Sequence, residues 1–245
     1  MRLTRLVLML ATGVLAACAG DPPQSSDTTV FAAASLTEAF TELGDAFMQE
    51  HPEADLTFSF ASSSDLARQA VEGAPVDVFA SADPANMAKV IDAGAASGEP
   101  TVFATNRAEI IVAPGNPLGV TSVDDLAMED LVVIVCAPDV PCGTYAGDIF
   151  ANAGVDVTPD SYEENVKAVA TKVTLGEADA GIVYTTDVLA AGDAASGVEI
   201  PDDINVVAEY PIVAVSDSEV AQRFIEFVTS PAGQRILGLR GFGAP

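Results

Sequence analysis

Three apolar, strand-like runs in the first third of the chain each end in small polar residues where a helical pattern begins, and this repeated junction constrains the fold more than any other feature. The first is Thr29-Val30-Phe31-Ala32-Ala33-Ala34-Ser35-Leu36-Thr37, where Val30 and Phe31 favour strand. From Leu36 onward, Leu36, Ala39, Phe40, Leu43, Ala46 and Phe47 recur at helical spacing. Ser35 is therefore expected at or beside a helix N-cap, where a hydroxyl and free backbone N–H groups point out of the helix end and can seat an anion. The second junction runs from Leu56 to Ala61 into Ser62-Ser63-Ser64-Asp65, with Leu66, Ala70 and Val71 at helical spacing beyond it. At the third, Val76-Asp77-Val78-Phe79-Ala80-Ser81 leads to Ala82-Asp83-Pro84, with Asp83 as cap and Pro84 at the first helical position. In an open α/β sheet such junctions gather at the carboxyl ends of the strands.

The alternation continues to the end of the chain. Helical patterns cover 83–93, 145–153, 186–191, 219–228 and 231–239, and a short helix starts at Val123. Strand patterns cover 102–104, 108–113, 131–136, 180–184, 206–210 and 212–215. Ser161-Tyr162-Glu163-Glu164 has the Ser-x-x-Glu spacing of a capping box, ahead of a helix that carries Val166, Val169, Ala170 and Val173 and stops at Gly176. Alternating strands and helices imply parallel sheets. The reading is an α/β chain of two lobes, residues 29–106 with 211–245 forming lobe 1 and 107–210 forming lobe 2. Each lobe is a mostly parallel sheet with helices on both faces, and the ligand lies in the cleft between them.

Charge narrows the partners. Asp and Glu number 36 against 10 Lys and Arg, a net charge of −26, which excludes nucleic acid and an anionic membrane surface. The first residues form a targeting segment, with Arg2 and Arg5 ahead of a short apolar stretch over 6–15. It closes on Leu15-Ala16-Ala17-Cys18, which resembles a bacterial lipobox. Residues 1–17 are thus read as a lipoprotein signal peptide, Cys18 as the lipidated anchor and 18–28 as a flexible tether. This places the protein outside the cytoplasm, held at the cell membrane. Cys136 and Cys142 then stand in a compartment where disulfides persist, and a bridge between them is expected to stiffen the 137–141 loop. The single histidine, His51, leaves no cluster at metal-ligand spacing.

Five motifs in order resemble the molybdate-binding proteins of bacterial ABC importers: Phe31-Ala32-Ala33-Ala34-Ser35-Leu36; Phe60 through Gln69; Gly73 through Asp83; Gly181-Ile182-Val183-Tyr184-Thr185-Thr186-Asp187; and Tyr210-Pro211-Ile212. The resemblance runs from about Thr29 to Phe242. It implies the two-lobed periplasmic binding protein fold of the second type. The ligand is molybdate, with tungstate close enough in size to bind as well; there is no cofactor and no enzyme activity. The chain would be a monomer that delivers its anion to a membrane permease and its cytoplasmic ATPase. Carried over motif by motif, the resemblance implies that the anion is held by Ser35 through its hydroxyl and backbone N–H, by Ser63, by Ala82 and Val166 through backbone N–H groups, and by Tyr184 through its phenol. Molybdenum then has no direct bond to protein. Where the family carries Ala-Gly this chain has Cys142-Gly143, so Cys142 is expected as a lining residue.

This ligand set explains how a strongly acidic chain can take an anion. A fully deprotonated dianion needs donors only, which hydroxyls, backbone N–H groups and helix N-termini supply as fixed dipoles. Two other classes remain open on sequence. One is a receptor of the same fold for sulfate, phosphate or ferric iron. The other is a serine hydrolase, which would need a base beside Ser35 or Ser63 in a chain with one histidine.

Overall fold

A computed structural model describes residues 26–245. The signal peptide over 1–17, Cys18 and the first part of the tether lie outside the described residues. Strand β1 (Ser26–Ala33) begins inside the stretch read as tether, because 26–28 pair in register with Ala54, Asp55 and Leu56. A 3-10 turn (Ala34–Leu36) leads into α1 (Thr37–Glu50). Then come β2 (Ala54–Ala61), α2 (Ser63–Val71), β3 (Val78–Ala80), α3 (Pro84–Asp92) and β4 (Thr101–Val112). Beyond a 3-10 turn at Val123–Ala127 follow β5 (Val133–Cys136), α4 (Pro141–Ala153), β6 (Ser161–Glu163), α5 (Val166–Thr174), β7 (Ala180–Tyr184) and α6 (Thr185–Ala191). The chain ends with β8 (Ser196–Glu199), β9 (Val207–Ala214), α7 (Glu219–Thr229) and α8 (Pro231–Leu239).

The strands are ordered β2-β1-β3-β9-β4-β7-β5-β6, with β8 added alongside β4. Pairings are parallel in the outer parts, β1 with β2 and β3, and β5 with β6 and β7. They are antiparallel wherever β4 or β9 takes part. The two halves of β4 serve different lobes: Thr101–Arg107 pairs with β9, and Ala108–Val112 pairs with β7 and β8. Strands β4 and β9 are thus the two crossings that join the lobes.

Two pairs of short strands expected from sequence are single long ones. The polar Thr105-Asn106-Arg107 reads as a break, yet it is the middle of β4, where the strand passes from one lobe to the other. Pro211 lies inside β9, and the ladder slips beside it between Val102 and Ala104, which accommodates a residue with no N–H to donate. The capping-box reading of Ser161–Glu164 also fails. Those residues form β6, parallel to β5, and Ser161 donates its hydroxyl to Glu163 instead of capping a helix. The true cap of α5 is Asn165, whose side chain accepts from the Ala168 N–H.

Lobe 1 is filled by interlocked rings. Phe40 meets Phe103 at 5.6 Å and Phe47 meets Phe224 at 5.4 Å between centroids, binding α1, β4 and α7 together. Helix α1 approaches β2 so closely that a Cβ on Gly44 would fall against the Phe58 ring. Lobe 2 packs Ile110, Val133, Ile149 and Ile182 between its sheet and α4. Among the described residues no helix is long and apolar enough to cross a membrane.

Candidate ligand-binding site

The residues singled out in the sequence converge on one small space between the lobes. It is lined by Ser35, Ser63, Ala82, Cys142, Val166 and Tyr184, among others, and has a volume of about 10 Å³. The lobes therefore meet around it with too little room for a four-oxygen anion, which needs them to part. A larger cavity of about 550 Å³ opens beside it, between α2 and α3 on one lobe and the 137–140 loop and Glu164 on the other. Its lining mixes Arg68 and Lys89 with Asp65, Glu72, Asp139 and Glu164. The donors converge on the small space, so that is where an anion would be held.

Each donor comes from the end of a strand or the start of a helix. Ser35 sits in the 3-10 turn after β1, and its Oγ is 2.9 Å from the Tyr210 hydroxyl. Ser63 is the first residue of α2, while Ser62 before it serves as cap by accepting from the Asp65 N–H. Val166 is the first residue of α5, and Cys142 is the second of α4, behind Pro141. The N–H groups of a first turn have no partner within their own helix. Three such turns, from α2, α4 and α5, therefore aim N–H groups and positive dipole ends at one point.

Ala82 departs from the expectation. Its N–H donates to Ser63 Oγ at 2.9 Å. It acts on the site by fixing the serine, whose own proton is then left to point elsewhere. The first turn of α4 brings a further backbone N–H, that of Cys142, to the lining of this space, where the sequence reading had a loop. Read as a loop, 138–141 appears to delay the helix to 145, but Pro141 fills the N1 position and starts it four residues earlier. Proline just inside a helix start was the available signal. Gly143 is required there, because a Cβ would fall onto the Ala137 carbonyl. The disulfide joins Cys136 at the end of β5 to Cys142, with Cα atoms 5.6 Å apart, and so ties this helix start to the strand before it.

Tyr184 ends β7 with only 2% of its surface exposed, and its hydroxyl has no hydrogen-bond partner among the described residues. Burial, with Tyr210, Tyr145 and Asp187 nearby, pushes the phenol well above its ordinary range and keeps it a neutral donor. Its ring packs edge-on between Tyr145 and Tyr210. Tyr210 is a second residue not assigned from sequence. It is wholly buried on β9, packs against Phe242 and positions the Ser35 hydroxyl.

The neighbouring carboxylates are otherwise occupied. Asp83 caps α3, accepting from the Asn86 N–H and side-chain amide and from Ser81. Asp65 accepts from Arg68 and Ser62, and the Arg68 contact leads in holding its carboxyl below the usual range. The site thus presents donors and little to accept a proton. His51 is not among the lining residues and packs at a tilt against Phe47, with ring centroids 4.5 Å apart.

Residues 28–243 match the bacterial extracellular solute-binding protein family. The molybdate-binding protein of Mycobacterium tuberculosis is 41% identical over 99% of this chain and 97% of its own length. That of Haemophilus influenzae is 31% identical, covering 90% of this chain and 91% of the relative. Among solved structures, the periplasmic molybdate-binding protein of Azotobacter vinelandii superposes with a TM-score of 0.78 at 21% identity, over 89% of this chain and 99% of that one. The sulfate-binding protein of Mycobacterium tuberculosis gives 0.80 at 18% identity, over 88% and 86%. At these identities the structural likeness speaks for the two-lobed fold alone.

Proposed function

The chain belongs to the bacterial extracellular solute-binding protein family, and from that premise we propose that its cleft takes molybdate and passes it to an ABC permease. The observation that carries this is the polarity of the site. A buried, unpartnered phenol, two serines and the first turns of three helices all offer protons toward one small space. Ser63 already accepts from Ala82, so its hydroxyl is free to donate. Ser35 is in the same position when the Tyr210 hydroxyl donates to it.

A dianion without a proton matches such a set. Hydrogen phosphate would also need an acceptor, and Asp65 and Asp83 are both engaged. Ferric iron would need phenolates, whereas burial pushes Tyr184 and Tyr210 upward, toward the protonated form. Sulfate shares the charge and the geometry and differs from molybdate in size. The molybdate-binding relatives at 41% and 31% identity favour molybdate over it. Tungstate, nearly isosteric with molybdate, belongs to the same proposal. Among the described residues Ser35 Oγ pairs with the Tyr210 hydroxyl and Ser63 Oγ with the Ala82 N–H, neither of them the base that a hydrolase would need.

We assign lobe 1 to 29–106 with 211–245 and lobe 2 to 107–210, with closure as a hinge motion about β4 and β9. The working state is a monomer, tethered through lipidated Cys18 and docking on a permease with its ATPase.

The decisive experiment is calorimetry with molybdate, sulfate and phosphate in turn. Tight one-to-one binding of molybdate with phosphate silent is expected. Binding of another anion with molybdate silent would overturn the ligand assignment. The anchor is tested apart from this, by fractionating cells that express Cys18→Ala: the variant should leave the membrane fraction, and its retention there would rule the anchor out.

A further inference from the structure

Behind the site, on the side of α1 and α6, lies a charge cluster whose three side chains are not among those lining the small space. Lys167 is the second residue of α5, directly after Val166. Its Nζ stands 2.8 and 2.7 Å from the two carboxylate oxygens of Glu38, in the first turn of α1 on the opposite lobe. It also stands 3.1 Å from Oδ1 of Asp187, in α6 of its own lobe. The Asp187 side chain is fully buried. Its Oδ2 accepts from the Tyr184 N–H at 3.2 Å, while Oδ1 lies out of line for a hydrogen bond and is balanced only by the lysine charge.

The two acids play unequal parts. Asp187 is buried and belongs to the same lobe as Lys167, so this pair, unlike the one with Glu38, does not depend on contact across the cleft. The Glu38 side chain is 38% exposed and returns to water when they separate. Burial of Lys167 works against its charge, but Asp187 and Glu38 outweigh that and keep it protonated. Each member also shares a helix start with a residue of the site: Glu38 follows Ser35 by three positions, Lys167 follows Val166 by one, and Asp187 follows Tyr184 by three. A contact between Glu38 and Lys167 therefore forms only when the donors of the two lobes are brought into register.

We propose that Glu38 and Lys167 form a clasp across the cleft, held ready by Asp187, which sets how long the closed receptor retains its anion. The clasp makes no contact with the ligand. It acts on the closed state, and so on release rather than capture. This rests on the receptor reading above, and its test includes a measurement that does not.

The test uses Glu38→Gln, which keeps the size and leaves the Lys167–Asp187 pair intact. Stopped-flow release of sodium molybdate should become about three- to tenfold faster, the scale of a half-exposed bidentate ion pair, with the association rate little changed. In ligand-free protein, spin labels on exposed positions of the two lobes should show longer distances in Glu38→Gln than in the unsubstituted chain. Glu38→Lys, which sets two ammonium groups against each other, should exceed both effects. Lys167→Met is the poorer probe, because it strands the buried Asp187 and should lower thermal stability as well. If the unsubstituted chain binds molybdate and Glu38→Gln releases it at the same rate, the clasp is refuted. If no variant binds molybdate, the ligand assignment fails, and the interlobe distances alone decide: identical distributions refute the clasp, and a shift supports it.

Discussion

A hydroxyl buried without a partner weakens a folded protein, by about 1–3 kcal/mol for the lost hydration. The Tyr184 hydroxyl is in that position. If it serves the anion, Tyr184→Phe should have two opposed effects. Molybdate affinity should fall by about 1.5–3 kcal/mol, the value of one hydrogen bond to a charged group. The thermal midpoint of the ligand-free variant should rise, since the unsatisfied group is gone. Calorimetry and thermal unfolding of the same sample check both, and an unchanged affinity would reduce Tyr184 to a packing residue. The resemblance, together with the strand-to-helix pattern, placed this tyrosine, the two serines and Val166 beside one another, and the structure brings all four to one space. Tyr210 was not legible as a member of this set. Its role depends on β9 lying two strands from β1, which brings its hydroxyl to Ser35 across 175 positions of sequence. Periodicity reports only which face a residue takes, not which distant side chain it meets.

The elements show the same division between local and non-local information. Helices α3 and α8, where an Asp or Ser cap stands directly before a proline at the first position, were placed well, since these signals act within one turn. Errors arose where pairing partners overrode a local pattern. Polar Thr105-Asn106-Arg107 joins a strand because β9 supplies its ladder, and Ser196–Glu199 becomes β8 only because β4 lies beside it. Ser161–Glu164 has the spacing of a capping box, yet the edge of β5 takes Ser161–Glu163 as a parallel strand. The late start given to α4 mattered most for the site, since it hid the Cys142 N–H within a supposed loop. That helix start is now the element whose position is most constrained, by Pro141 within it, by Gly143 against Ala137 and by the disulfide behind it. Such triple fixing suits a dipole that has to be aimed before the ligand arrives.

At the scale of the whole molecule, local and global electrostatics oppose each other. Within a few ångströms of the site, helix starts and hydroxyls make a potential that favours an anion. Over the rest of the surface the net charge is −26, so a dianion approaches against a repulsive field. The range of that field is set by the ionic strength: the Debye length falls from about 30 Å at 0.01 M to about 8 Å at 0.15 M. The closed site lies beneath two lobes and is screened far less than the surface. Added salt should therefore act chiefly on the approach. The association rate for molybdate, measured by stopped flow, should rise with sodium chloride over that range, the reverse of the fall seen when protein and ligand carry opposite charges. A falling rate would mean that Arg68 and Lys89 in the neighbouring cavity dominate the entrance and that the net charge is not felt there. A rising rate would mean that this chain recognises its anion wholly by short-range donors. Its many acids could then serve solubility outside the cell without compromising a site that contains no formal positive charge.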